Sequence, residues 1–339
     1  IGPAAFYNNK LTSISLPDSL TSVSEFAFWG NQLSIIDIPD SVTEIGRYAF
    51  SFNKITSVTI PEGVINLSGF GGNFLTTITI PESVESIGEG AFDANQLTKV
   101  TILGDLASIG ATSFRDNQLT AITLPNSLTS IGSYAFSGNQ LVDLTIPNSV
   151  SGLGDYAFYN NHLKSVILPN NINAIGNFSF SQNRLETISI PPKWTSIGPS
   201  SFSNNLIGTV IIPASIDIIY ESAFSNNALT TVRFLGKRPR IRDGAFGYNE
   251  DLAIISACSG TVGWPGRPIY VWVSPLISPG ISVISCDTDG DGTNPLVIVS
   301  AGGYHTCALD DSISGVTCWG YNYNGQTDVP ALSNPTQVS

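Results

Sequence analysis

The chain has 339 residues, of which 42% are apolar and only 12% charged, about half the usual charged share of ~25%. This excludes a disordered acidic tail, which could not carry so much apolar content, and a coiled coil, which needs abundant Glu, Lys and Arg. Fourteen Lys and Arg against 26 Asp and Glu leave a net charge of −12, which argues against a nucleic-acid binder, and no apolar run of about eighteen residues is present to span a membrane. The chain contains no Met, so Ile1 is expected to begin a mature or excised fragment.

From its first residues the chain repeats itself. Phe6, Phe28, Phe50, Phe70, Phe92, Phe114, Phe136, Phe158, Phe180, Phe202, Phe224 and Phe246 are spaced by 22 residues, except for the step of 20 from Phe50 to Phe70. An Asn follows each by three: Asn9, Asn31, Asn53, Asn73, Asn95, Asn117, Asn139, Asn161, Asn183, Asn205, Asn227 and Asn249. A fixed period of this size marks a repeat architecture.

Each column of the unit has a physical task. In the coil starting at Leu119, the alternation Ile122-Thr123-Leu124 predicts a strand with one buried face. Pro125 ends the strand, and Asn126-Ser127 supplies turn chemistry. Leu128 and Ile131 return to the core. Gly132 serves a close approach or a positive φ. Tyr134-Ala135-Phe136 predicts a tight, 3₁₀-like turn carrying one aromatic inward, and Asn139 is expected to bond loop backbone. A 22-residue unit cannot bury its faces alone, so stacked copies must share one core.

The pattern Leu-x-x-Ile-x-Leu-Pro, then Ser-Leu/Val-x-x-Ile-Gly-x-x-Ala-Phe, resembles the BspA-type leucine-rich repeat over about residues 1–250. The resemblance implies a mainly β fold: a solenoid of about eleven 22-residue coils, each a short strand plus a 3₁₀-like turn, with a C-terminal cap and a small β segment. It also implies a bacterial cell-surface or secreted protein. Two coils depart from the pattern. Leu103-Gly104 replaces the turn Pro, and the 20-residue coil around Gly69-Phe70-Gly71-Gly72 drops two residues before its Phe, where a local kink is expected.

The expected domains are a capped solenoid over 1–275, a linker with an Asp-rich turn over 276–295, and a partial propeller-like repeat over 296–339. Near the end of the solenoid, Arg233, Lys237, Arg238, Arg240 and Arg242 hold five of the fourteen cations. They either keep a terminal coil soluble or form an anion patch for a partner such as a surface polysaccharide. All four cysteines, Cys258, Cys286, Cys307 and Cys318, lie beyond it. Pairs 258–286 and 307–318 are favoured as disulfides in a secreted chain, with free thiols as the alternative. Asp287, Asp289 and Asp291 have the spacing of the first half of a calcium loop. Ile298 stands where the closing carboxylate belongs, so a solvated acidic turn is the alternative and no other cofactor is expected. Residues 297–325, with His305, Cys307, Cys318 and Trp319, resemble one repeat of the regulator-of-chromosome-condensation propeller family. One repeat cannot close a propeller, so this module is expected to continue beyond the chain.

No catalytic constellation is legible. His162 takes a variable position between Asn161 and Leu163, His305 lies in the propeller-like stretch, and no nucleophile elbow, phosphate loop or His-Glu-x-x-His is present. No enzyme is expected. The candidate ligand-binding face is the outward side of the main strands: Ser57, Thr59, Thr77, Thr79, Lys99, Thr101, Thr123, Asp143 and Thr145. Threonine there also serves strand propensity and cross-strand pairing. The expected role is an extracellular adhesion module recognising a protein or glycan on another cell or matrix. The alternatives are a structural spacer projecting a downstream domain, or an ice-binding face of ranked hydroxyls.

Overall fold

The computed structural model describes residues 1–172, 174–236, 239–250 and 252, and the backbone of the strands Ile254–Ala257, Ser282–Ser285, Val299–Ala301, His305–Asp310 and Gly315–Gly320. Among the described residues there are strands and turns and no helix. The chain divides into two compact units, Ile1–Arg184 and Leu185–Ser339.

In the first unit four coils contribute a main strand, and most contribute a shorter second strand. The main strands pair in parallel, Thr77–Ile80 with Lys99–Ile102 and Asp143–Thr145 with Ser165–Ile167. Alternation sets their faces: Ile78 and Ile80 are buried while Thr77 and Thr79 are exposed. The second strands form a parallel ladder through Asn66–Leu67, Ser86–Ile87, Ser108–Ile109, Ser130–Ile131 and Gly152–Leu153, with Ser22–Val23 and Glu44–Ile45 as a separate pair.

The turn before Phe136 has the expected local bonds. Ala135 N–H donates to Gly132 O at 3.3 Å and Ser137 N–H to Tyr134 O at 3.2 Å. It does not extend into a 3₁₀ helix, because Tyr134 and Gly138 have φ of 59° and 69°. These left-handed residues leave the N–H groups of Tyr134, Phe136 and Gly138 bonded to the next coil, at Asp155 O, Ala157 O and Tyr159 O, 2.8–2.9 Å away. Gly132 serves the close approach: a Cβ there would stand 2.4 Å from Ala111 N.

The Phe rings form a buried ladder. Successive centroids from Phe6 to Phe180 lie 5.1–6.0 Å apart with nearly parallel planes. Every ring after Phe6 is fully buried, whereas Phe6, stacked on Phe28 alone, is 38% exposed. Beside the rings runs the Asn ladder. Asn139 Oδ1 accepts from Leu119 N–H at 3.1 Å, and its Nδ2 donates to Phe136 O at 3.1 Å and Phe114 O at 2.8 Å. One carboxamide thus joins two coils and satisfies buried backbone that cannot reach water.

The 20-residue coil interrupts one edge. At the preceding junction Thr43 N–H bonds Thr21 O at 3.0 Å and Gly46 N–H bonds Val23 O at 2.7 Å. At the following one Glu85 N–H bonds Ile65 O at 2.9 Å and Gly88 N–H bonds Leu67 O at 2.8 Å. Between Glu44–Ile45 and Asn66–Leu67 the corresponding donors, Ile65 N–H and Ser68 N–H, have no partner among the described residues. The ring side stays closed, with Phe50 and Phe70 at 5.4 Å and Phe50 N–H on Gly69 O at 2.8 Å.

In the second unit Thr187–Ser189, Thr209–Ile212, Thr231–Phe234, Ile254–Ala257 and Ser282–Ser285 form one parallel sheet in chain order. Ser282–Ser285 falls in the stretch expected as linker and pairs with Ile254–Ala257. Ser196–Ile197, Ile218–Ile219 and Arg240–Ile241 make the second ladder. Phe202, Phe224 and Phe246 stack at 5.4 and 5.6 Å. Val299–Ala301, His305–Asp310 and Gly315–Gly320 form an antiparallel meander.

Phe136→Ala should cost ~3–5 kcal/mol in chemical denaturation, the usual range for a buried Phe. A wild-type midpoint and slope would remove the ring column from the core. Asn139→Ala should cost at least ~2 kcal/mol in the same measurement, because it strands the Leu119 N–H and two carbonyls together.

Candidate functional site

The main-strand face is assembled by register. Thr77 pairs with Lys99 and Thr79 with Thr101. Asp143 pairs with Ser165 and Thr145 with Ile167, and Ser165 Oγ donates to Asp143 Oδ1 at 2.6 Å. Ser57, Thr59, Thr77, Thr79, Lys99, Thr123, Asp143 and Thr145 are exposed and Thr101 is half-buried. Six of the nine lie on main strands, and Ser57, Thr59 and Thr123 lie in the extended segments at the same place in their coils, outside any strand. The face also carries exposed apolar residues, Ile35 at 68% and Ile167 at 64%. In the second unit Thr187, Thr209 and Thr231 align across three strands, as do Ser189, Ile211 and Arg233. The hydroxyl ranks are thus interrupted in both units.

The other candidates fare differently. Arg233 lies on a main strand, Arg240 on a second strand and Arg242 in the turn after it, all exposed. They belong to different edges of the coil. Lys237 and Arg238 lie outside the described residues, as do Asp287, Asp289, Asp291, Cys258 and Cys286. The backbones of Cys307 and Cys318 stand directly opposite in the antiparallel register, and their side chains lie outside the described residues. His162 is half-buried.

One surface feature escaped the sequence reading. The position two before the Phe is aromatic in five coils, and there the ring is half-buried or exposed. Tyr134, Tyr156 and Phe178 stack at 4.6 and 4.7 Å. Phe26 lies 5.3 Å from Tyr48, and Tyr7 and Trp29, each one residue after its Phe, stack at 4.7 Å. Phe26, Tyr48, Tyr134, Tyr156 and Phe178 all have φ near 55°, a conformation costly for bulky residues. The recurrence of Tyr or Phe in one column was the available signal. The left-handed backbone that turns these rings outward has no sequence signature.

Titration follows local contacts. Asp93 accepts two bonds from Arg115, at 2.9 and 2.8 Å. Burial nevertheless lifts its carboxyl above the usual value against the pull of Arg115, whose own pKa the Asp93 bond raises. Burial among neighbouring rings raises the Tyr156 hydroxyl. A hydrogen bond to Tyr48 raises Arg47.

Residues 1–120, 63–183 and 107–230 match the model of the BspA type leucine rich repeat region, in six copies. The chain belongs to the BspA-type leucine-rich repeat family. Residues 297–326, after the solenoid repeats, match the regulator of chromosome condensation (RCC1) repeat. No curated protein matches the chain. Among solved structures, this BspA-type chain is similar to a leucine-rich repeat protein from Bacteroides ovatus, with 26% identity and a TM-score of 0.46, covering 57% of this chain and 59% of that one. It is also similar to the pneumococcal vaccine antigen PcpA, with 19% identity, a TM-score of 0.51, and 82% and 83% covered. YopM from Yersinia enterocolitica gives 19% identity, a TM-score of 0.50, and 74% and 53% covered. The last two likenesses show the fold. The chain spans under two thirds of the B. ovatus and YopM chains.

Tyr156→Asn should change the stability of this BspA-type solenoid by no more than ~1 kcal/mol in chemical denaturation. The lost stacking, ~0.5–1.5 kcal/mol, is offset by relief of a left-handed aromatic, ~1–2 kcal/mol, at a site Asn tolerates. A loss as large as that expected for Phe136→Ala would make the outward column core.

Proposed function

We propose that the chain is a cell-surface or secreted adhesion module that recognises a protein or glycan through the outward face of its main strands. The observation that carries this reading is the in-register face itself. Thr77, Thr79, Lys99 and Thr101 stand on paired strands, and Thr145 and Ile167 form a like pair on Asp143–Thr145 and Ser165–Ile167. Weakly charged hydroxyls interspersed with exposed Ile form a broad docking surface rather than a pocket. The residues on it can donate and accept hydrogen bonds and cover apolar area, which suits an extended partner. Its interrupted ranks disfavour an ice lattice, which would need a regular one.

Membership of the BspA-type family and the vaccine-antigen description of PcpA support a surface location. No described helix is long and apolar enough to cross a membrane.

The test is a triple variant, Thr79→Lys, Thr101→Lys and Thr123→Lys. The full chain is screened against immobilised matrix proteins and oligosaccharides, and each hit is remeasured with the variant. Binding should fall by tenfold or more, roughly 1.4 kcal/mol, with a thermal midpoint close to wild type. Unchanged binding removes this face as the site. No binding by the wild-type chain favours the spacer role, and thermal hysteresis would favour an ice-binding face.

A further inference from the structure

The missing two residues of the short coil leave a notch on the second-strand edge. In a regular coil, residues three and two before the Phe carry the chain from second strand to turn, as Arg47-Tyr48 and Glu89-Gly90 do. The coil of Phe70 passes from Leu67 through Ser68 and Gly69 directly to the ring. Its neighbours on either side therefore face each other across an open volume of about 480 Å³, lined by Thr43, Glu44, Arg47, Ile65, Asn66, Ser68 and Glu89 among others. That size is within the range of small-ligand clefts, ~300–1,000 Å³.

The notch holds an unusual concentration of unused polar capacity. Ser68 is 9% exposed, lies against Gly88, and its hydroxyl has no hydrogen-bond partner. The backbone N–H groups of Tyr48, Ile65 and Ser68 and the carbonyls of Thr43 and Glu89 have no partner among the described residues. In the coil of Phe136 the equivalent groups are paired: Tyr134 N–H bonds Asp155 O at 2.9 Å and Thr129 N–H bonds Ala107 O at 2.9 Å. The short coil therefore leaves donors and acceptors open together beside a cleft, where the coils from Phe92 to Phe136 pair them coil to coil.

Charged groups at the rim are held in place. Arg47 and Glu89, 42 residues apart, form an ion pair across the short coil. The Arg47 guanidinium lies 4.7 Å from the Tyr48 ring centre and donates to Tyr48 Oη at 3.1 Å. Tyr48 in turn rests on Phe26. Glu44 and Asn66 are exposed on the strands that flank the break, and Ile65, 48% exposed, adds one apolar surface.

We infer that this notch is a saccharide site, taking one sugar unit of a surface or matrix glycan. It is separate from the strand face. Sugar hydroxyls both donate and accept, which fits a cleft where N–H groups, carbonyls, a carboxylate, an amide and a guanidinium are mixed. The C–H face of the ring would lie on Ile65. A peptide strand fits less well. Phe50 and Phe70 remain stacked at 5.4 Å, so the coils cannot part by the ~4.8 Å that a further strand requires.

The test uses the full chain on arrays of neutral, N-acetylated and uronic-acid oligosaccharides, with hits titrated by calorimetry. Two notch variants are compared: the exposed-residue double variant Asn66→Ala with Glu89→Gln, and a Gly-Ser insertion between Ser68 and Gly69 that restores the 22-residue spacing. A bound oligosaccharide should lose roughly tenfold or more in affinity with the double variant and all measurable binding with the insertion, and should keep its affinity in the Thr79→Lys, Thr101→Lys and Thr123→Lys variant. Should the insertion lower the thermal midpoint markedly, the double variant decides. Binding to no oligosaccharide overturns the inference, as does binding that survives the double variant or is lost only with the strand-face variant. A peptide ligand abolished by the double variant overturns the saccharide assignment as well.

Discussion

A ring of Phe on a 22-residue coil has no core of its own. It is buried only when the ring of the next coil covers it, and that mutual cover is the constraint on which the rest of the structure depends. Phe6, covered by a neighbouring ring on one side only, is 38% exposed, while Phe28 onward are sealed. The carboxamide of the Asn three residues later then has a fixed position, between two coils whose carbonyls and N–H groups would otherwise be buried unpaired. Ring and amide together set the distance from coil to coil. The strands need only follow.

That distance explains the turn. Bringing Phe136 inward while its N–H reaches Ala157 O leaves room for neither a side chain at Gly132 nor a right-handed residue at Tyr134. The glycine meets the first demand because the coil behind it is too close for a Cβ. The left-handed residue meets the second, and it directs a side chain to the surface. Where that residue is aromatic, its strain of ~1–2 kcal/mol is offset by stacking with the same position in the next coil. The outward aromatic column is thus a consequence of the inward one.

The short coil shows how local such a rule is. Removing two residues leaves the ring and amide ladders intact, with Asn73 still bonded to Ile55 N–H, Phe50 O and Phe70 O. The adjustment falls on the second-strand edge, where backbone pairs are lost and Arg47 meets Glu89. Deep packing resists displacement because it is dense, so irregularity appears at the surface, where side chains and solvent can accommodate it. A recognition site needs such irregularity, since a perfect repeat presents the same surface at every coil.

The periodic part of this protein was legible in the sequence. Phe and Asn every 22 residues established the solenoid, the buried column and the amide ladder, because a residue that must meet its own copy can occupy only one place in the repeat. Ile-Thr-Ile at 78–80 established which hydroxyls face outward, since side chains alternate along a strand. Three things were decided only by tertiary structure. Gly132 was compatible with either a close approach or a positive φ until the position of Ala111 was known. Tyr134 carried no mark of its left-handed backbone, because that φ is imposed by hydrogen bonds to the next coil rather than by residue preference. The two residues missing before Phe70 signalled a kink, but not the meeting of Arg47 with Glu89 or the unpaired groups between them. Those depend on which coils stay in contact when one is shortened, and contact between neighbours is a property of the stack rather than of any single repeat.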